Sequence, residues 1–397
     1  MGRDAIVVGA GIVGAAIARA LARAGMDVVI VDRGQPASGT SASCEGNLLV
    51  SDKPPGHELV LAQYASRLWR ATAGELSDQL GPSFPAIEYE RKGGLVVATT
   101  EAGASALSRF AAAQRDAGVD AREVGDPYAY EPELTSEVSA AVYYPDDAQV
   151  QPTVAAEALL ASARAYGARV MTGFPVTGPV LDRDGGLAGV RSGSRTLHAR
   201  RVVVAAGPWS AALNAKLGVS MPVLPRRGEL LVTAPLRQRV FHKVYGADYV
   251  GAVESDDGGL QTSSVVESTR GGTMLLGSSR QRVGFDERLR VDVLQQIAAK
   301  AVHLFPFLRD VAVLRSYGGF RPYMPDHLPV ISADHRLPGL WQAVGHEGAG
   351  VGLSLATAEL VRDLMLGVPP ALDAAPFSTE RPSLLPHLDD VPERVIV

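Results

Sequence analysis

Gly9, Gly11 and Gly14 stand in the spacing Gly-x-Gly-x-x-Gly, and Asp32 follows eighteen residues after the third of them. In that order the first glycine permits a tight turn, the second lets backbone approach a pyrophosphate, and the third allows close helix–strand packing. Asp32 then accepts hydrogen bonds from an adenosine ribose, with Arg33 beside it. Among 42 glycines the triplet alone says little. Its context carries the weight: Ala5–Val8 is an apolar run, Ala15–Ala24 has helical character ended by Gly25, and Asp27–Val31 is a second apolar run. Ile12 and Val13 open the helix, whose N–H groups and dipole face an anion. These residues predict a site for the ADP moiety of a dinucleotide, and do not choose between NAD and FAD.

The elements that hold this site are interleaved along 397 residues. Buried-strand patterns recur near residues 5, 28, 202 and 341, with other material between them. Helices are expected over His57–Leu80, Glu101–Ala117, Val154–Tyr166, Val291–Leu304 and Leu353–Leu366. Strands are expected at Gly93–Thr99, Arg169–Thr172 and Pro175–Leu181, and Val142–Pro145 reads as part of a turn. Between Val223 and Gly277 strand-like runs alternate with Gly and Asp turns, as in an antiparallel sheet. The pattern predicts an α/β chain of two discontinuous domains: a dinucleotide domain from 1–50, 150–215 and 318–372, and a substrate domain from 51–149 and 216–317. Residues 373–397 form an irregular tail.

Composition narrows the function classes. Hydrophobic residues make up 46% and charged residues 20%, with a net charge of −5. That balance disfavours nucleic acid as a main partner, since phosphate neutralisation needs a basic face. One cysteine, Cys44, excludes disulfide staples and all-cysteine metal sites, and no metal site is expected. No leader-like pattern and no uncharged stretch of membrane-spanning length is visible, so a cytoplasmic enzyme is expected.

Four segments, in order, resemble the D-amino-acid oxidase (DAO) family, which includes glycine oxidase, sarcosine oxidase, hydrogen cyanide synthase and D-hydroxyproline dehydrogenase-like members. They are Ser38-Gly-Thr-Ser-Ala-Ser-Cys-Glu-Gly46, Arg201-Val-Val-Val-Ala-Ala-Gly-Pro-Trp-Ser210, Gly318-Gly-Phe-Arg-Pro-Tyr-Met-Pro-Asp-His-Leu-Pro329, and Gly345-His-Glu-Gly-Ala-Gly-Val-Gly352. The resemblance implies a glutathione-reductase-like Rossmann FAD domain and an α+β substrate domain on a large, mostly antiparallel sheet. It implies FAD as cofactor. Thr40, Ser41 and Ser43 then meet pyrophosphate and flavin, Val176 meets the adenine, and Ala206, Gly207 and Trp209 border the cofactor. Gly348, Gly350, Val351 and Gly352 lie against the ring, and the helix behind them points its positive end at the edge where charge accumulates on reduction.

The same resemblance makes Arg321 the clamp of a substrate carboxylate over the flavin, a role that suits a planar, always-charged guanidinium. A carboxylate so held lets an α C–H be presented for hydride transfer to flavin N5. The implied reaction oxidises the C–N bond of a small amino acid, imino acid or N-substituted amino acid to an imine, with oxygen or another acceptor removing the electrons. Tyr245 and Tyr249 are candidate carboxylate donors or core residues. His346 and Glu347 are candidates beside the substrate amine. Arg226-Arg227 resembles a family turn at the domain junction or is a solvated charge cluster, and Gly277–Arg280 reads as structural. Two departures stand out. Glycine oxidase-like members carry an arginine where this chain has Gly348, which places glycine-like substrates in doubt. No cysteine lies near residue 320 and Ser43 replaces a family histidine, so FAD is expected to be held without a covalent bond. A flavin subunit of a heteromeric amino-acid or opine dehydrogenase, a homo-oligomer, and a non-catalytic FAD-binding protein remain as alternatives.

Overall fold

The structure is a computed structural model that describes residues 2–253 and 255–388. Its first sheet is built on the apolar runs. Arg3–Val8 lies parallel to Val28–Val31 on one side and to Arg195–Val204 on the other, with Ala5 opposite both Val28 and Arg201. Leu340–Val344 extends the sheet in parallel beyond Arg195–Val204, and Arg169–Met171 extends it beyond Val28–Val31. Val330–Ala333 pairs antiparallel at the edge. The central strands are buried on both faces, which is why they read as continuous Val and Ile rather than as alternation.

Ile12–Arg23 covers one face and packs between Pro152–Ala165 and Gly350–Leu366. Its run of Ala15, Ala16, Ala18, Ala20 and Ala22 lets three helices approach closely. Arg19 is buried there and is neutralised by Glu75 at 2.7 Å.

The second sheet has the order Val313–Tyr323, Leu224–Thr233, Met274–Arg280, Gln261–Ser268, Lys243–Gly246, Gly94–Ala98, Ala140–Tyr144, Arg122–Glu123. All neighbours are antiparallel except Lys243–Gly246 with Gly94–Ala98. Helix Val291–Leu304 backs it with Val293, Ile297, Ala301 and Leu304, one apolar stripe at helical spacing. The fold class expected from the sequence is therefore present.

Some local expectations change. Val142–Tyr144 is strand, not turn: Ala140–Tyr144 pairs with Gly94–Ala98, and the fully buried Tyr144 donates its hydroxyl to Gln114 Oε1 at 2.7 Å. The reversal begins only at Pro145. The strand expected from Pro175 starts at Gly178. The boundary expected at 318 falls inside Val313–Tyr323, whose whole length pairs with Leu224–Thr233. Residues 373–388 are irregular but anchored, with Leu384 buried and Arg381 paired to Asp326 at 2.6 Å. The rest of the expected tail lies outside the described residues. Among the described residues no helix is long and apolar enough to cross a membrane.

Candidate active site

The dinucleotide mouth follows from Gly9 and Gly14, which have no room for a side chain, and from Gly11, where a Cβ would press on Ser41 Oγ at 3.3 Å. A Cβ on Gly14 would sit 1.9 Å from the Gly9 carbonyl oxygen, and one on Gly9, at φ +114°, would sit 2.3 Å from that of Ala205. Helix Ile12–Arg23 begins at Gly11 with no side-chain cap and no acid in its first turn, which leaves an electropositive end open to an anion. Ser41 Oγ accepts from the Ile12 N–H at 3.0 Å and brings the turn Thr40–Ser43 to the same mouth. Asp32 is fixed beside it by N–H groups of Ala10 and Gly34, both at 2.8 Å. Carboxylate oxygens carry two lone pairs each, so capacity remains for a ribose.

Neighbouring segments close the groove. The Arg33 guanidinium lies 4.5 Å from the centre of the Trp209 ring, and Gly39 lets that ring approach. Gly207 adopts φ +54° in the turn after Ala206. Thr40 Oγ1 donates to the Phe320 carbonyl at 2.7 Å, and Gly319 leaves room for Ser43. The Phe174 N–H donates to the Asp32 carbonyl at 2.8 Å, which brings the segment carrying the buried Val176 alongside. Cys44 donates to the Ser41 carbonyl at 3.3 Å, and burial pushes its thiol up to about 12.

A second uncapped helix start faces the other half of the site. Leu340–Val344 leads through Gly345, the turn Glu347–Ala349 and into Gly350–Leu366, again without cap or acid. Trp69 Nε1 donates to the carbonyls of Val351 at 3.1 Å and Gly352 at 3.2 Å. A small cavity of about 10 Å³ opens at this turn, lined in part by Asn47, Asp52, Lys53, Trp69, Tyr249 and Gly348. Two open helix ends and bare glycine backbone fit a pyrophosphate at the first mouth and a planar ring at the second.

Arg321 stands beside the turn. Its Nη1 donates to the Ser279 carbonyl at 2.9 Å; its guanidinium lies over Gly228, where a Cβ would collide with it, and its stem lies beside Gly348, where a Cβ would meet it at an ordinary 3.6 Å. Burial, followed by the neighbouring Arg280, pushes its pKa down to about 10, so it stays cationic at neutral pH. Tyr249 also faces this space and carries the Arg280 guanidinium 4.5 Å from its ring centre. Glu347, at φ +44°, is engaged by Arg226 Nη1 at 3.5 Å and His327 Nδ1 at 2.9 Å. His327 Nε2 in turn lies 3.1 Å from Asp256, which also accepts from Tyr323 at 2.8 Å.

Two expected residues turn their polar groups away from this space, although the Tyr245 ring packs on that of Tyr249, centroids 5.0 Å apart. Tyr245 is fully buried and donates its hydroxyl to Ser51, which donates to Asp147. His346 is buried, with Nε2 2.9 Å from Thr357 Oγ1, and burial lowers its pKa to about 4, so it is neutral. Arg226-Arg227 is not a solvated cluster: the two residues are 1% and 2% exposed. Arg280 and His327 were not distinguished by sequence. The only hint was their place, one ending a strand and one closing the Arg321 motif.

Two titrations here have readable signs. The Glu347 hydrogen bond is the largest cause that raises the His327 pKa. The imidazolium's stabilisation is therefore complete below its unfolded value and lost as pH climbs through the raised one. Thermal unfolding of His327→Gln against the parent should show a deficit that shrinks as pH rises above neutrality, worth about 1 kcal/mol or less. Asp147 behaves in the reverse of an ordinary carboxylate, since burial raises it to about 7. The folded state holds a proton the unfolded state releases near pH 4, so stability falls from there to about pH 7. Asp147→Asn should gain on the parent across that window by on the order of 1–3 kcal/mol, read from urea midpoints at pH 5 and 8.

The parallel sheet, its glycine-lined helix mouth and the second helix start define a Rossmann-type flavoprotein oxidoreductase. The family model "DAO: FAD dependent oxidoreductase" matches residues 4–364. A glycine oxidase from Geobacillus kaustophilus is 32% identical over 394 residues, covering 95% of this chain and 97% of its own. The crystal structure of glycine oxidase from Geobacillus kaustophilus superposes with a TM-score of 0.86 at 29% identity, covering 96% of this chain and 98% of its own. The hydrogen cyanide synthase subunit HcnC of Pseudomonas aeruginosa is 26% identical over 422 residues, covering 95% and 96%. The chain belongs to the DAO family of FAD-dependent oxidoreductases, and it is an enzyme acting on amino acids or amines.

Proposed function

We propose that the enzyme oxidises the C–N bond of a small amino acid, imino acid or N-substituted amino acid, with the substrate carboxylate held by Arg321. The observation that carries this reading is the Arg321 guanidinium: it packs on Gly348, at the turn that fits the ring, and among the described residues no carboxylate lies within salt-bridge distance of it. A partly desolvated guanidinium in that position calls for an anion, and a carboxylate matches its planar fork.

Bound FAD supplies the two-electron acceptor. Arg321 fixes the carboxylate, and with it the α-carbon, so that orientation supplies most of the rate. The amine reacts as the neutral base. Glu347, tied through His327 to the exposed Asp256, gives the departing ammonium proton a hydrogen-bonded route outward. The substrate loses a hydrogen with its bonding pair and one proton, and the resulting imine is hydrolysed by water to an oxo acid and ammonia or an amine. Non-covalent FAD is part of this reading, since the Cys44 thiol is held as a neutral, bonded group.

The test is anaerobic mixing of the purified holoenzyme with D- and L-amino acids, sarcosine, prolines and opines while flavin absorbance is followed. Bleaching by members of the panel supports the reading, and an unchanged spectrum across it refutes it. Similarity to a hydrogen cyanide synthase subunit favours a second reading, a flavin subunit that hands electrons to a partner. Rapid bleaching without peroxide in air marks that case.

A further inference from the structure

Arg280 is a second buried guanidinium in the same place, and the reaction as described does not use it. It is 4% exposed and ends the strand Met274–Arg280, next to Ser279, whose carbonyl holds Arg321. Among the described residues its one side-chain hydrogen bond is a long 3.4 Å contact from Nη1 to Ser278 Oγ. Among the described residues no carboxylate comes within 4 Å of Arg280 or Arg321. The nearby acids have other partners, Glu45 and Glu267 in Lys243, at 3.6 and 2.7 Å, and Glu347 in Arg226 and His327; only Glu45 also reaches both guanidiniums with its charge, without bonding either. The Tyr249 ring offsets part of the cost of burying a charge, but it adds no negative charge. Two buried like charges side by side are costly unless anions complete them.

The two guanidiniums stand behind different walls of one small space, which neither lines directly. Arg321 leans on Gly348, Arg280 leans on Tyr249, and Gly348 and Tyr249 both line the cavity. Among the described residues each retains N–H donors that no protein group occupies, and a guanidinium fork suits one carboxylate. Resting on the reading that Arg321 holds the reacting carboxylate, we propose that Arg280 forms a second anionic subsite, so that the preferred substrate is a dicarboxylic amino or imino acid. Its second carboxylate lies against Arg280 and Tyr249. This distinguishes the site from one shaped for glycine, which carries a single carboxylate.

The test compares holoenzyme with Arg280→Met and Arg280→Lys. Flavin reduction is measured with iminodiacetate, aspartate and glutamate against sarcosine, glycine and alanine. Binding of malonate, succinate and glutarate against acetate and propionate is read from perturbation of the flavin spectrum. The dicarboxylates should be preferred by on the order of 10- to 100-fold, the worth of a charge-assisted pair. Arg280→Met should collapse that ratio to near unity, and Arg280→Lys should keep part of it. Equal use of both classes by the parent enzyme, or an equal loss for both in Arg280→Met, overturns the subsite and assigns both guanidiniums to one carboxylate. If Arg280→Met does not fold, the parent's ratio and the lysine variant decide. If no amine bleaches the flavin while succinate still outbinds propionate and loses that advantage in the variants, the oxidation reading fails and the subsite stands.

Discussion

Arg321→Met should raise the substrate concentration for half-maximal flavin reduction by roughly 10²- to 10³-fold, the cost of removing one partner of a desolvated charge pair. Methionine keeps most of the stem beside Gly348 while deleting the charged head that lies over Gly228. The loss should appear in stopped-flow reduction and follow the substrate carboxylate: an amine lacking that group should be indifferent to the change. FAD content is read from the same sample, so a lost grip on substrate is separated from lost cofactor. A parent-like concentration dependence in the variant assigns the carboxylate to another group.

The second large effect lies at the opposite end of the cofactor. Gly11→Ala should yield a folded protein largely stripped of FAD, because its Cβ would lie 3.3 Å from Ser41 Oγ in the mouth meant for the pyrophosphate. Affinity should fall on the order of 100-fold, as expected when a close backbone–anion approach is blocked. Gly14→Ala makes the contrast. Its Cβ meets backbone at 1.9 Å, so fold and cofactor should fail together, by more than about 3 kcal/mol. Far-UV circular dichroism and the flavin-to-protein absorbance ratio distinguish the two. Gly11→Ala protein that retains stoichiometric FAD contradicts the assignment of that mouth.

Legibility in the sequence followed the physics of each group. The stretches 5–8, 28–31, 202–204 and 340–344 were visible because parallel strand segments buried on both faces are apolar with little interruption. The glycines at 9 and 14 were visible because their geometry admits no substitute. Arg321 was visible through its motif. The rest of the charge around it was not, since arginine is ordinarily a surface residue and nothing in Arg226, Arg227 or Arg280 announces burial. Tyr245 and Tyr249 looked alike in the chain. A strand ending at Gly246 and a short helix from Asp248 turn the first into the core and the second toward the cavity. Val142–Tyr144 was misread because Pro145 and the acids after it dominate the local pattern.

The hydrogen bonds from Trp69 to Val351 and Gly352 and from Thr40 to Phe320 span 282, 283 and 280 residues. They bear on the order in which a growing chain can acquire its parts. The adenosine end of the groove is encoded within the first 32 residues, yet its partner strand arrives only with residues 195–204. The ring end needs residues 340–352, which bring the last parallel strand and the helix after it. Such non-local pairing is intrinsically slow. The pocket for the whole cofactor thus exists only after residues 340–352 have been made, and a shorter nascent chain can offer FAD no more than half a binding site.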